Sequence, residues 1–147
     1  MIEMANQLAE DGKYSHALKY YKGILQIEPT NIEVIIDYGV TLQNLELYHQ
    51  ALMLYDQALR LQSKNITALI NKGSVLHTLE KYTDAITCYD TVLRIDSSNP
   101  TALVHKGLCI AEIGNIHLAI KYFKKALSID GEYQLAKVSI DTAKMYY

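Results

Sequence analysis

The sequence predicts an all-α fold, a solenoid of antiparallel helix hairpins stacked side by side. Three observations predict it. The chain matches itself when slid by 34 residues, so that Ile66–Asn99 (ITALINKGSVLHTLEKYTDAITCYDTVLRIDSSN) overlays Ile32–Asn65 and Pro100–Tyr133. A fixed period of this size is the mark of a stacked array. Within each copy, apolar residues recur at steps of three and four: Leu69, Ile70, Val75, Leu76 and Leu79, then Tyr82, Ile86, Tyr89, Val92 and Leu93. That is helical spacing, without the alternation of a strand. Turn residues fall at the joints, as Asp11-Gly12, Asn99-Pro100 and Gly114-Asn115.

The elements follow in order. Residues 1–31 form a first unit that begins three residues into the pattern, and residues 32–65, 66–99 and 100–133 form three complete ones. Each unit divides into two helices; in the third these run roughly Thr67–Thr78 and Tyr82–Ile95. Asn31, Asn65 and Asn99 precede first helices, where an Asn side chain accepts from free backbone N–H groups. Pro100 then occupies the first helical position, where its missing donor costs nothing. The small residues Gly73 and Ala85 are placed where the two helices of one hairpin cross closely, and the aromatic residues between one hairpin and the next. Residues 134–147 repeat a first helix alone. There Lys137, Asp141 and Lys144 stand where the units carry Leu103, Gly107 and Ile110. They leave a solvated stripe, while Ala136, Ile140, Ala143 and Tyr147 make an apolar one suited to the fourth unit. This is the pattern of a capping helix, and the whole of 1–147 reads as a single domain.

The register is tight. Gly39, Gly73 and Gly107 share one place with Ala5; Tyr14, Tyr48 and Tyr82 share another with Ile116. Ala17, Ala51, Ala85 and Ala119 share a third, and Tyr21, Tyr55, Tyr89 and Phe123 a fourth. Ala58 and Ala126 share a fifth. This pattern resembles the tetratricopeptide repeat, with its bulky residue, Leu-Gly, aromatic, then Ala, aromatic, Ala and Pro. The resemblance spans essentially the whole chain. It departs at the Trp place (Met1, Ile35, Leu69, Leu103), at the Leu before Gly (Met4, Tyr38, Lys72, Lys106) and at the late Pro, kept only as Pro29. The resemblance implies a right-handed α-solenoid whose first helices line a concave face and bind peptide segments of other proteins.

Composition narrows the function. Apolar residues make up 50% of the chain, and the formal net charge is −2. Such a chain folds and has no general attraction for nucleic acid or acidic membrane surfaces. No apolar run is long enough to insert in a membrane, and no basic-then-apolar leader opens the sequence; a cytoplasmic setting is the expectation. Cys88 and Cys109 lie within apolar helix patterns and read as packed thiols. No glycine-rich phosphate loop, metal-ligand cluster or nucleophile–base pair is present. The expectation is a protein without enzymatic activity and without a cofactor.

The stripe expected to face the groove takes the second, fifth, ninth and twelfth residues of each unit. The fifth places are Ile2, Ile36, Ile70, Val104 and Val138, an apolar ladder. The ninth are Asn6, Val40, Ser74, Leu108 and Thr142; the twelfth are Ala9, Gln43, His77, Ala111 and Met145. The second are Glu33, Thr67, Thr101 and Leu135. No lysine or arginine is among them. The family's clamp for acidic C-terminal tails of chaperones needs Lys, Asn, Asn, Lys and Arg. The matching residues here are Ile2, Asn6, Asp37, Thr67 and Asn71, or one unit on Ile36, Val40, Asn71, Thr101 and His105. A carboxylate needs cationic donors, so the chaperone tail is not the expected ligand.

What this stripe suits is an amphipathic helix or an extended peptide with aliphatic anchors. The alternative is self-association, through the groove or the open N-terminal end of the array. Elsewhere, Lys72 and Lys106 are expected to lay their stems on neighbouring tyrosines with the amine in water. Lys121, Lys124 and Lys125 form a basic surface. His77 and His105 read as lone polar residues too far apart for one metal ion, and His16, His49 and His117 as exposed.

Overall fold

The computed structural model describes residues 1–146. Among them it shows helices and turns and no strand. In order these are α1 (Ile2–Glu10), α2 (Tyr14–Ile27), α3 (Ile32–Asn44), α4 (Tyr48–Leu61), α5 (Ile66–Thr78), α6 (Tyr82–Ile95), α7 (Pro100–Glu112), α8 (Ile116–Ile129) and α9 (Gln134–Tyr146). None is long and apolar enough to cross a membrane. The chain forms two compact units, one over Met1–Val75 and one from Leu76 onward.

In the first unit α1 packs on α2, α2 on α3 and α3 on α4, and α1 also touches α3. Its N-terminal core holds Ala5, Ala17, Tyr21, Ile24 and Val34. In the second unit α6 packs on α7, α7 on α8 and α8 on α9, and α7 also touches α9. Its core holds Leu103, Val104, Ile110, Ala119, Phe123 and Ala126, closed by Ala136 and Ile140 of α9. The apolar stripe expected of the capping helix is thus in place, and Ala143 is buried with it. Tyr147, assigned to the same stripe, lies outside the described residues. Lys137, Asp141 and Lys144 face away from the core, with Lys137 reaching Glu132 at 3.1 Å.

The asparagines cap as expected. Asn31 accepts from the Val34 N–H at 3.2 Å, Asn65 from Ala68 at 2.9 Å and Asn99 from Ala102 at 2.9 Å. Asn115 does the same for α8 with Leu118 at 3.2 Å. Inside each hairpin the chain reverses through one residue with positive φ: Gly12 (75°), Glu46 (59°), Glu80 (59°) and Gly114 (99°). Paired backbone bonds close the reversal, for instance Leu47 N–H to Leu42 C=O at 2.9 Å and Glu46 N–H to Gln43 C=O at 2.9 Å. This is the Schellman arrangement, which favours glycine at the left-handed position.

The glycine place marks the close crossing of the two helices of one hairpin, as expected. The aromatic place and the two lysines differ from expectation: the ring packs inside its own hairpin, against the glycine. A β-carbon on Gly39 would stand 2.6 Å from the Tyr55 ring, and one on Gly107 would stand 2.5 Å from the Phe123 ring. The aromatic residue also reaches the next hairpin, since Phe123 shares a core with Ala136 and Ile140. Lys72 and Lys106 do not simply release their amines to water. Lys72 Nζ lies 2.6 Å from Asp56 and Lys106 Nζ 2.5 Å from Asp90, with Lys106 also 4.6 Å above the Tyr122 ring. The lysine of a first helix therefore ties to an aspartate on the preceding second helix in both units.

Candidate ligand-binding cleft

In the second unit, α7 and α9 run side by side over α8 and leave a cleft of ≈ 550 Å³. Leu108 and Ala111 of α7 form one wall; Leu135, Val138, Thr142 and Ala143 of α9 form the other; Ile116 and Phe123 of α8 form the floor. The volume lies within the range, roughly 300–1,000 Å³, of pockets that bury small ligands or side-chain anchors. Val138 is 49% exposed and Leu135 37%. The Ser139 hydroxyl, which also lines the cleft, donates to the Leu135 carbonyl of its own helix at 2.7 Å. It is satisfied internally, which leaves the exposed Thr142 hydroxyl as the polar group of an otherwise apolar wall. Glu112, exposed at the end of α7, is the one charged residue in the lining.

The equivalent place in the first unit, between α1 and α3 over α2, is a smaller pocket of ≈ 280 Å³ lined by Asn6, Ala9, Glu10, Tyr21, Asp37, Val40, Thr41 and Asn44. Here the chemistry is polar. The Tyr21 hydroxyl donates to Asn6 Oδ1 at 2.7 Å, and the Asn6 amide holds the Asp37 carboxylate. Burial, aided by the nearby Glu33 charge, still raises the Asp37 pKa above its ordinary value. In the next hairpin the Tyr55 hydroxyl donates to Gln43 Oε1 at 2.9 Å. The Tyr89 hydroxyl, at the same place again, is buried with no hydrogen-bond partner among the described residues. His77 occupies Gln43's place relative to it but turns its ring edge-on to Tyr82, centroids 5.5 Å apart.

The sequence-predicted groove residues divide. Among the fifth places, Ile36 is 7% exposed and Val104 0%, so these two rungs of the ladder are core rather than open wall. The reason is visible at Val104: α9 packs alongside α7, and Val104 joins Ala136 and Ile140 beneath it. Ile2 and Ile70 are half-buried, and Val138, on the last first-helix, is open. An edge of Ile36 still reaches a shallow cavity of ≈ 380 Å³ with Glu33 and Thr67. The ninth and twelfth places do present surface: Asn6, Val40, Ser74 and Leu108 are half-buried, as are Ala9, Gln43, His77 and Ala111, and Thr142 and Met145 are exposed. Thr101 is half-buried and receives the Tyr133 hydroxyl at 3.4 Å.

The cleft floor, Ile116 and Phe123, was not expected to reach this face. Its signal lay in the differences between units: Ile116 and Phe123 stand where the first unit has Tyr14 and Tyr21, and Leu108 where it has Asn6. The histidines are not isolated either. His105 stacks on Tyr89, centroids 5.7 Å apart, and burial, then the charge of His77, lowers its pKa. His16, His49 and His117 are exposed, and Cys88 and Cys109 are buried thiols. Among the described residues no three His, Cys, Asp or Glu groups converge as metal ligands.

Comparison with known proteins agrees with the hairpin architecture. No curated protein matches the sequence. MamA from Desulfovibrio magneticus RS-1 superposes with a TM-score of 0.81 at 23% identity, covering 97% of this chain and 86% of that one. A tetratricopeptide repeat protein from Parabacteroides merdae superposes at 0.85 with 24% identity, over 99% of this chain and 59% of that chain. YrrB superposes at 0.77 with 22% identity, over 99% and 75%. At these identities the likeness shows the fold, an all-α array of helix hairpins. The model of the tetratricopeptide repeat family matches residues 39–100 and 78–133, and the chain belongs to that family.

Proposed function

We propose that this chain is a protein-interaction scaffold that holds a peptide or helix of another protein against its first helices. The observation that carries the reading is the open apolar cleft between α7 and α9. A monomeric domain has little reason to leave Leu135 and Val138 exposed beside Leu108 and a floor of Ile116 and Phe123. The reading is consistent with the family, whose members are generally interaction scaffolds, and with YrrB, which is described as having an unusual peptide-binding site. The residues assigned to contact are those that present surface: Leu135 and Val138, which are exposed, and the half-buried Leu108 and Ala111 in the second unit and Asn6, Val40 and Gln43 in the first. Ile36 and Val104 act beneath them as support. No catalytic role is assigned to any residue, and the partner is polypeptide rather than nucleic acid.

The test is display selection of a random peptide library on the purified chain, with the Val138→Arg/Thr142→Arg variant as counter-selection. Both positions are exposed, so the variant keeps its helical circular dichroism. Peptides retained by the wild type and lost by the variant are the expected result. Peptides held equally by both would remove the cleft from the account. Molar mass measured across a dilution series separates self-association: a dimer that dissociates on adding a cleft-directed peptide would make a second copy the occupant.

A further inference from the structure

We infer that the α7–α9 cleft selects a peptide segment in which a large aliphatic or aromatic anchor has a lysine or arginine within about four residues of it, one helical turn. The inference rests on the scaffold reading above and adds the chemistry of the ligand.

The anchor follows from the lining. Leu108, Ile116, Phe123, Leu135 and Val138 offer apolar surface, and the Ser139 hydroxyl is spent on its own helix. A polar side chain entering between Leu108, Phe123 and Leu135 would give up water where the lining offers only apolar surface, which disfavours it; the polar groups Thr142 and Glu112 are the exposed ones. The cation follows from the rim. Glu112 is exposed, and among the described residues it forms no ion pair. It is the last residue of α7, at the mouth of the cleft. Among the described residues no lysine or arginine lines the cleft, and Glu112 is the charge a ligand meets there. An acidic segment would meet repulsion there, and a basic one attraction.

The same place in the first unit shows that this chemistry belongs to one cleft and not to the repeat. Asn6, Glu10, Asp37 and Asn44 line that pocket, and an apolar anchor there would strip water from a carboxylate and an amide. Selection by anchor and cation is therefore assigned to α7, α8 and α9 alone.

The peptides enriched on the wild type and lost on Val138→Arg/Thr142→Arg provide the test. Their sequences are expected to share a large apolar residue with Lys or Arg within a turn of it. Fluorescence anisotropy of the most enriched peptide is then measured on Glu112→Gln and Glu112→Lys. A rim charge pair of this kind corresponds to weakening of about two- to fivefold for Glu112→Gln, with a larger loss for Glu112→Lys. Both losses shrink as salt is raised. Cleft-dependent peptides that lack a basic residue, or that bind Glu112→Lys as tightly as the wild type, overturn this inference and leave the scaffold reading standing. Selection that yields no cleft-dependent peptide overturns both.

Discussion

The Phe123 ring lies over the backbone of Gly107, its Cε1 2.5 Å from where a β-carbon on that residue would stand. The glycine is thus a seat for the aromatic ring that forms the floor of the cleft. Gly107→Ala gains helix propensity of about 1 kcal/mol and meets overpacking of about 1–3 kcal/mol. The net expectation is a loss of up to about 2 kcal/mol, read as a lower urea midpoint. It should come with weaker ligand binding, because Phe123 must move. A stability gain would show that the ring has room to step aside. In the first hairpin Ala5 occupies this place and is buried in one core with Tyr21.

Tyr55 and Tyr89 occupy one place in consecutive hairpins with opposite outcomes for their hydroxyls. Tyr55 donates to Gln43 at 2.9 Å, whereas Tyr89 is buried with no hydrogen-bond partner among the described residues. Burial raises the pKa of both, so each hydroxyl keeps its proton. Tyr55→Phe should cost about 1 kcal/mol, the net worth of a typical hydrogen bond. Tyr89→Phe removes an unsatisfied buried group and should stabilise the chain by up to about 1 kcal/mol. Phe123 already fills this place in the last hairpin. Urea unfolding of the two variants checks the contrast, and a shift of the same sign in both would refute it.

How far the sequence reaches is visible in these residues. The period placed every helix: α6 runs Tyr82–Ile95 as read from the apolar spacing, and Asn31, Asn65 and Asn99 cap where a cap was expected. Periodicity reports which face of a helix is apolar, and that was enough for the fold. It does not report what covers that face. Ile36 and Val138 share one place in the repeat, yet one is 7% exposed and the other 49%. The apolar ladder was therefore a composite of core and surface. The cleft itself arises from side chains of three helices and was legible only in departures from the pattern, such as Ile116 and Leu108. The ion pairs of Lys72 and Lys106 were hidden for a related reason: each partner lies on another helix, 16 residues earlier (72 − 56 and 106 − 90), outside any window that reads a single helix.

Glu46 and Glu80 adopt φ of 59° at the place where Gly12 and Gly114 stand. A side chain in the left-handed region costs about 1–2 kcal/mol, and glycine returns part of that through its greater freedom in the unfolded chain, about 0.5–1 kcal/mol. Glu46→Gly and Glu80→Gly should each stabilise by roughly 0.5–1 kcal/mol, and the two should add because they lie in separate hairpins. Gly114→Ala should destabilise by a similar amount. Thermal melts of the single and double variants measure this. Loss of stability in the glutamate variants would mean that those side chains make contacts outweighing the strain.

His105 ties stability to pH. Its ring stacks on Tyr89 at 5.7 Å, and burial, reinforced by the charge of His77, holds its pKa below the ordinary value of 6.5. The unfolded chain then takes up the proton more readily than the folded one. Stability from this group is complete above about pH 6.5 and declines as pH falls through the folded-state value, because the unfolded state binds more protons in that window. His105→Gln keeps a polar group of similar reach without the titration, and its urea midpoint should change less between pH 7.5 and pH 5.5 than that of the wild type. The carboxylates are present in both proteins, so the difference between the curves reports the His105 imidazole and its coupling to His77. An identical slope in the two proteins would show that His105 takes its proton in place, with the Tyr89 stack accommodating the charge.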